Sequence, residues 1–357
     1  MFNIFGGNNV KEAIGIDIGT TSIKVVQVKK EKERLLLQTY GEVELGPYAG
    51  LEAGQATNLG EEKLTEAIQD LLKEAKVTSK EANFSIDPVS SFISMISVPG
   101  VDDSSLKTMI PLEARKYIPI PISEVQLDWW RVPNLLYDDG ADKKNINIII
   151  AAVKNERLYM YDRIVNKLGF LNVDYEIEGF SLVRSLGIAP NSGLVVIVDI
   201  GGSFTTVSLA SSGIIVDMHV ISHGSQEATI QLSRALSVSV KVAEESKREF
   251  GYKGDQSNSY FKEVMELSSY PLFGEVARLL LMYERKYNQS ISGVVVTGGG
   301  ARIEGISEMY KKTVQGDMKI ATPFDQVNVP PFLQDMIHKI GPSYSVAVGL
   351  ALKKLLS

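Results

Sequence analysis

No cysteine occurs anywhere in the sequence. That excludes disulfides and thiolate metal sites, and it is compatible with the cytoplasm. Histidine is nearly as scarce: His219, His223 and His338 are the three present. None has a ligand partner at metal spacing, so structural or surface roles are expected. Basic blocks are missing too, because 37 Lys and Arg stand against 43 Asp and Glu for a formal net charge of −6. Nucleic acid is therefore not an expected partner. No apolar run approaches the roughly 20 residues of a membrane span, and Ile146–Val153 reads instead as a buried strand. The opening MFNIFGGNNV lacks the charged start and cleavage site of a secretion signal. It reads as a frayed tail, the alternative being that its Phe2, Ile4 and Phe5 touch a membrane or a partner.

What is present is an ordinary globular composition, 44% hydrophobic over 357 residues, which is enough for two domains. One phrase occurs twice: Asp-Ile-Gly at Asp17–Gly19 and Asp-Ile-Gly-Gly at Asp199–Gly202, half a chain apart. In IGIDIGTTSIKVVQV (Ile14–Val28) apolar residues alternate up to Asp17, Gly19 permits a tight turn, and β-favouring residues resume at Ile23. The unit reads as a hairpin with Asp17 at the strand end. VVIVDIGGSFTTVSL (Val195–Leu209) repeats that layout around Asp199, so two similar halves are expected.

Small Gly, Ser and Thr residues let several backbone N–H groups converge on an anion. Two such turns facing each other across a cleft would hold the β- and γ-phosphates of ATP. An Asp from each would then orient the waters of a magnesium ion. Mg-ATP is accordingly the expected cofactor. A third element, VVVTGGGARIEGI (Val294–Ile306), carries a β-branched strand into Gly298, Gly299 and Gly300 and then a helix, bare backbone suited to a purine or an α-phosphate.

Between the repeats, Arg34–Glu44 reads as a strand, Leu45–Gly60 as a mobile edge loop, and Glu61–Ala75 as a surface helix on a sheet. Asn83–Val153 reads as an inserted β-α-β-β module, with strands at Leu127–Val132 and Asn145–Val153 joined by a polar turn at Asp138–Lys144. A polar helix start stands at Asp102–Ser105, the helix either begins near Pro111 or bends there, and Pro119 and Pro121 end it. Helices are expected at Asn155–Lys167, Ile177–Leu186, Ser225–Ala235, Val242–Phe250 and Tyr270–Tyr287, with a strand at Leu171–Ile177 and a polar loop at Gly251–Tyr260.

Together with Ala243-Glu244-Glu245-Ser246-Lys247 and a closing helix containing Gly349, these elements resemble the actin-like ATPase superfamily over nearly the whole chain. The implied fold is α/β: two RNase H-like halves around a nucleotide cleft, residues 1–190 and 191–340, with a helical and loop subdomain near 236–292. Residues 341–357 would close back on the first half. An inserted subdomain of this kind resembles the cell-division protein FtsA and the type IV pilus protein PilM. EARKYIPIPISEVQLDW (Glu113–Trp129) is similar to the PilM pattern in particular. FtsA proteins normally end in a linker and an amphipathic helix, whereas SYSVAVGLALKKLLS reads as the last helix of the fold.

The resemblance implies roles by residue. Asp17 and Asp199 would organise magnesium. Gly19, Thr20, Thr21, Ser22 and Lys24 would meet the phosphates on one side, and Gly201, Gly202 and Ser203 on the other. Glu178 would align the attacking water, Glu244 and Lys247 would contact ribose and base, and Gly298–Gly300 with Arg302 would cover adenosine. Gly349 would pack over the cleft. The implied function is an ATP-binding protein of the type IV pilus or a related secretion or competence machine, with hydrolysis slow if present. It would lie on the cytoplasmic face of the inner membrane and bind the N-terminal cytoplasmic tail of a PilN-like membrane protein. Pilus motor ATPases and self-association are further expected contacts. An FtsA-like scaffold and a metabolic kinase are the alternatives. Ile118, Pro119, Ile120 and Pro121 are expected to wall the peptide groove, or else simply to end a helix.

Overall fold

The computed structural model describes residues 11–132, 145–255 and 257–356. The first half opens with three antiparallel strands, β1 (Glu12–Ile18), β2 (Ser22–Glu31) and β3 (Arg34–Glu44). Their β-branched residues alternate and fill the core, where Ile14, Ile16, Ile23 and Val25 are fully buried. Helix α1 (Glu61–Glu74) follows, its Leu64, Ile68 and Leu71 facing inward. Strand β4 (Glu81–Ile86) then returns parallel to β1.

The added module comprises β5 (Ser91–Pro99), α2 (Asp103–Ala114), β6 (Val125–Arg131) and β7 (Asn145–Lys154). Helix α3 (Asn155–Leu168), β8 (Asn172–Ile177) and α4 (Glu178–Ser185) complete the first half. Its sheet runs β3-β2-β1-β4-β8.

The second half repeats this plan. Strands β9 (Leu194–Ile200), β10 (Thr205–Ser211) and β11 (Ile214–Ile221) form the antiparallel part. Helices α5 (Ser225–Leu236), α6 (Val240–Phe250) and α7 (Ser259–Tyr287) lead to β12 (Ile291–Thr297), α8 (Ile306–Val314) and β13 (Lys319–Ile320), and α9 (Gln334–Ile340) and α10 (Ser345–Leu356) end the chain. The order β13-β12-β9-β10-β11 is the first sheet's order over again. The repeated phrase in the sequence thus marks a repeated fold.

Two boundaries differ from the sequence reading. Residues 83–86 belong to β4 in the first-half sheet, so the module begins beyond Asp87 rather than at Asn83. An alternating strand looks the same whichever sheet it joins. Helix α2 begins at Asp103, at the expected polar start, capped by the Asp102 carboxylate on Ser104 N and Ser105 N, and it runs through Pro111, which forgoes one backbone bond. Helix α7 likewise starts at Ser259, with Asn258 capping Tyr260 N, and absorbs Pro271 instead of beginning beside it. The expected turn at Asp138–Lys144 and the apolar Phe2, Ile4 and Phe5 lie outside the described residues.

The module has its own core of Ile96, Val98, Leu106, Ile110, Ile118, Ile148 and Ile150. It also joins the second sheet. Strand β11 pairs with β5 at Asp217 and Ser94, and the row continues β5-β7-β6. Strand β6 is therefore the end strand of eight. Helix α10 lies against β1 and α4, and Gly15 exists for it: a Cβ there would sit 2.0 Å from Ala347 O.

Candidate functional site

The two turns have the same local geometry. Gly19 N donates to Ser22 O at 3.1 Å, and Gly201 N donates to Phe204 O at 3.0 Å. Each turn carries its Asp at the end of the preceding strand, and the two approach until they touch: a Cβ on Gly202 would meet Thr21 Cγ2 at 2.4 Å. Between and beside them lies a cavity of about 590 Å³. Asp17, Gly19, Thr20, Thr21, Ser22, Lys24, Glu178, Asp199, Gly201, Gly202, Glu244, Lys247, Gly298, Gly299 and Arg302 all line it. Residues far apart in sequence are thus gathered around one cavity.

Three carboxylates converge on the floor. Burial raises Asp17 above the ordinary carboxylate range, opposed by Lys24 and a hydrogen bond from Ser85. Asp199 is pushed up to about 7 by burial and by the charge of Asp17. Glu178, the first residue of α4, lies well above its usual range because burial, Asp17, Asp199 and Asp87 all disfavour its ionised form. Burial and neighbouring negative charge thus disfavour the ionised forms of all three. Among the described residues no three carboxylate or imidazole side chains stand close enough to hold a cation directly.

Glu244 and Lys247 also fall together. Lys247 Nζ lies 2.6 Å from Glu244 Oε2 and 2.7 Å from Thr229 Oγ1, and Thr229 in turn donates to Glu244 Oε2 at 2.5 Å. The helical spacing of α6 alone left an ordinary surface pair open. The structure buries both residues.

Three expected site residues are not in the lining. Gly349 is buried in α10, where a Cβ would come within 1.9 Å of Ser181 O, so it serves helix packing against α4 and not the cleft. Gly300 faces the core, its Cβ position 2.3 Å from Ile200 Cγ2. Ser203 points to solvent at the tip of its turn, and Phe204 takes the lining position instead. Arg302 lies in a short 3₁₀ turn, Gly299–Arg302, that precedes α8. Ile118 is 6% exposed and packs within the module core.

The loop after β3 reaches across to α6: Lys241 N donates to Glu52 at 2.8 Å, and Gly54 abuts the side chain of Glu244. Sequence reasoning had made this loop a mobile edge, without these contacts. It also missed Glu42, Glu44, Ser225, Gln226 and Arg248, all of which line the cavity. Arg248 donates to Glu244 Oε1 at 2.8 Å and faces Glu44 at 3.4 Å across the cleft. A strand register carried the signal for Glu42, since β2 and β3 place it opposite Lys24.

Residues 15–355 match the family model described as type IV pilus assembly protein PilM. The chain belongs to that family. Among solved structures it is similar to the PilM-PilN type IV pilus biogenesis complex, with a TM-score of 0.81 and 22% identity over 98% of this chain and 99% of that one. MreB 5 of Spiroplasma citri bound to AMPPNP is a more distant likeness, at a TM-score of 0.53 and 14% identity, covering 96% of this chain and 95% of that one. A curated relative, the cell division protein FtsA of Bacillus subtilis (strain 168), is 21% identical over 96% of this chain and 83% of that one. The fold of this PilM-family chain is therefore the actin-like one. Among its described residues no helix is long and apolar enough to cross a membrane.

Proposed function

We propose that this PilM-family protein binds Mg-ATP between its two turns and uses the bound state to engage a membrane partner in pilus assembly. The observation that carries the reading is the apposition of the two turns over Asp17, Asp199 and Glu178 in one cavity. Backbone N–H groups and hydroxyls of Gly19–Ser22 and Gly201–Gly202 suit the β- and γ-phosphates. Lys24 adds a point charge. Gly298 and Gly299 leave bare backbone beside Arg302 for the adenosine, while Glu244 and Lys247 suit the ribose. Magnesium, which keeps several waters, fits a floor of carboxylates that do not close on an ion directly. When bound, it supplies charge neutralisation for the phosphates. Asp17 and Asp199 would orient its waters, and Glu178 would take a proton from an attacking water if hydrolysis occurs. Turnover would be slow.

The protein would act at the cytoplasmic face of the inner membrane, held there by the N-terminal tail of a PilN-like bitopic protein. The solved PilM-PilN complex supports that partner class. Among the described residues strand β6 ends the long sheet, and its Trp130 stacks edge-on against Phe180 of α4 with ring centres 5.1 Å apart. An extended tail can add to such an edge while alternate side chains enter pockets beside it. Motor ATPases and a second copy of the chain are further proposed contacts.

Calorimetry tests the nucleotide part. Mg-ATP should bind the wild type, and Asp17→Ala and Asp199→Ala should weaken it with the fold intact. Unchanged affinity in both variants would remove the reading. The two tryptophans of the chain, Trp129 and Trp130, both lie on β6. A synthetic tail peptide docking there should change intrinsic fluorescence, and binding without such a change would move the groove elsewhere.

A further inference from the structure

Three strands place three charged side chains in a row. Asp17 pairs with Lys24 between β1 and β2, and Lys24 pairs with Glu42 between β2 and β3. Paired residues on neighbouring strands share a face of the sheet. All three accordingly line the cavity. Lys24 Nζ lies 3.2 Å from Glu42 Oε1 and 2.7 Å from Ser22 Oγ. In the second half the residue facing Asp199 in the same register is Thr206, which brings no charge. The lysine of the phosphate floor is thus already engaged by an anion of its own half. Beside it stand Asp17, Asp199 and Glu178. Arg302 and Arg248, both reaching in from the second half, also act on Glu42.

We propose that Glu42 is a specificity residue of the cleft: by sharing the Lys24 ammonium with phosphate it weakens the pull of that charge on a metal-free nucleotide and so favours the form that carries a divalent cation. This rests on the nucleotide reading above. A metal-free triphosphate would enter a floor of carboxylates in which the nearest lysine is shared with Glu42. Its like charges are opposed there at close range and in a partly desolvated site. A nucleotide already carrying magnesium has lost much of that charge and brings a cation to the carboxylates. Uncharging Glu42 should therefore favour the metal-free form selectively. Positioning of Lys24 alone, with no effect of charge, would act on both forms alike.

The experiment is calorimetric titration of wild type and Glu42→Gln with ATP in magnesium and with ATP in EDTA, after thermal melts establish folding. The variant should bind metal-free ATP about tenfold or more tightly than the wild type does, while Mg-ATP affinity stays within about threefold. Glu42→Asp, which keeps the charge, should keep the wild-type ratio. Equal shifts in both forms, no gain for metal-free ATP, or a ratio in Glu42→Asp that moves as far as in Glu42→Gln would overturn the assignment. If Glu42→Gln does not fold, Glu42→Ala carries the same expectation, since Ser22 Oγ, 2.7 Å from Lys24 Nζ, still offers the lysine a partner. A wild type that binds neither form would remove the nucleotide reading and this inference together. A wild type that binds Mg-ATP with an unaltered ratio in the variants would remove the Glu42 assignment alone.

Discussion

The backbone of Gly298 lies directly against the carboxylate of Asp199, so close that a Cβ on Gly298 would fall 2.3 Å from Asp199 Oδ1 and 2.5 Å from Ile200 O. Its φ of 86° is also one that a side chain rarely adopts. The third glycine-rich element thereby fixes the acid of the second turn. Its N–H is held by Pro342 O at 3.0 Å, which ties the same point to the segment before α10.

Gly298→Ala should consequently disturb both stability and the site. Backbone strain and the clash together should cost about 1–3 kcal/mol of folding stability. Chemical denaturation would read that loss, and calorimetry at low temperature should show weakened Mg-ATP binding in the folded variant. Wild-type values for both would mean that the strand end adjusts freely.

The pH dependence follows from Asp199. Its value is raised from 3.8 to about 7, so the folded state holds a proton that the unfolded chain has already released. Stability from this group is complete at low pH and is lost as pH rises through about 7. Asp199→Asn, which cannot ionise, should therefore melt higher than the ligand-free wild type at about pH 8 and gain less at about pH 5. An equal gain at both values would assign the effect to something other than ionisation.

Glu178 can act as a base only when ionised, and its surroundings favour the protonated form in the empty cleft. Any hydrolysis should accordingly rise with pH. Glu178→Gln should lower it by about 10²–10⁴-fold while leaving Mg-ATP affinity near that of the wild type. Single-turnover assays with labelled ATP would measure this. Equal rates would return Glu178 to a purely structural place at the start of α4.

Gly349→Ala separates packing from binding. The added methyl would meet the Ser181 carbonyl at 1.9 Å, an approach of backbone to backbone that α4 and α10 cannot relieve by turning a side chain. A stability loss of about 1–3 kcal/mol is expected, with nucleotide affinity retained below the melting transition. Lost affinity in a stable variant would restore Gly349 to the site.

Ile118→Asp should destabilise the module rather than remove peptide binding selectively. Ile118 packs with the core formed by Leu106, Ile110 and Val125. Burying a carboxylate there should cost about 2–5 kcal/mol. Normal melting with lost peptide affinity would instead place the groove at Ile118.

The sequence by itself determined the repeat, the strand-end positions of Asp17 and Asp199, the glycine turns and the β-α-β-β character of the insertion. These are local consequences of alternation, turn chemistry and capping, and they hold whatever the strand next meets. Where β4 pairs, and that β5 extends the second-half sheet from Asp217, depends on partners distant in the chain. No periodicity encodes that choice. For the same reason Gly349 looked like part of the cleft: a glycine's need for space is legible, but what fills the space is set by another helix. Glu42, Glu44 and Arg248 were ordinary charges on a strand and a helix until the closure of the two halves brought them around one cavity, where burial and mutual proximity gave them their character.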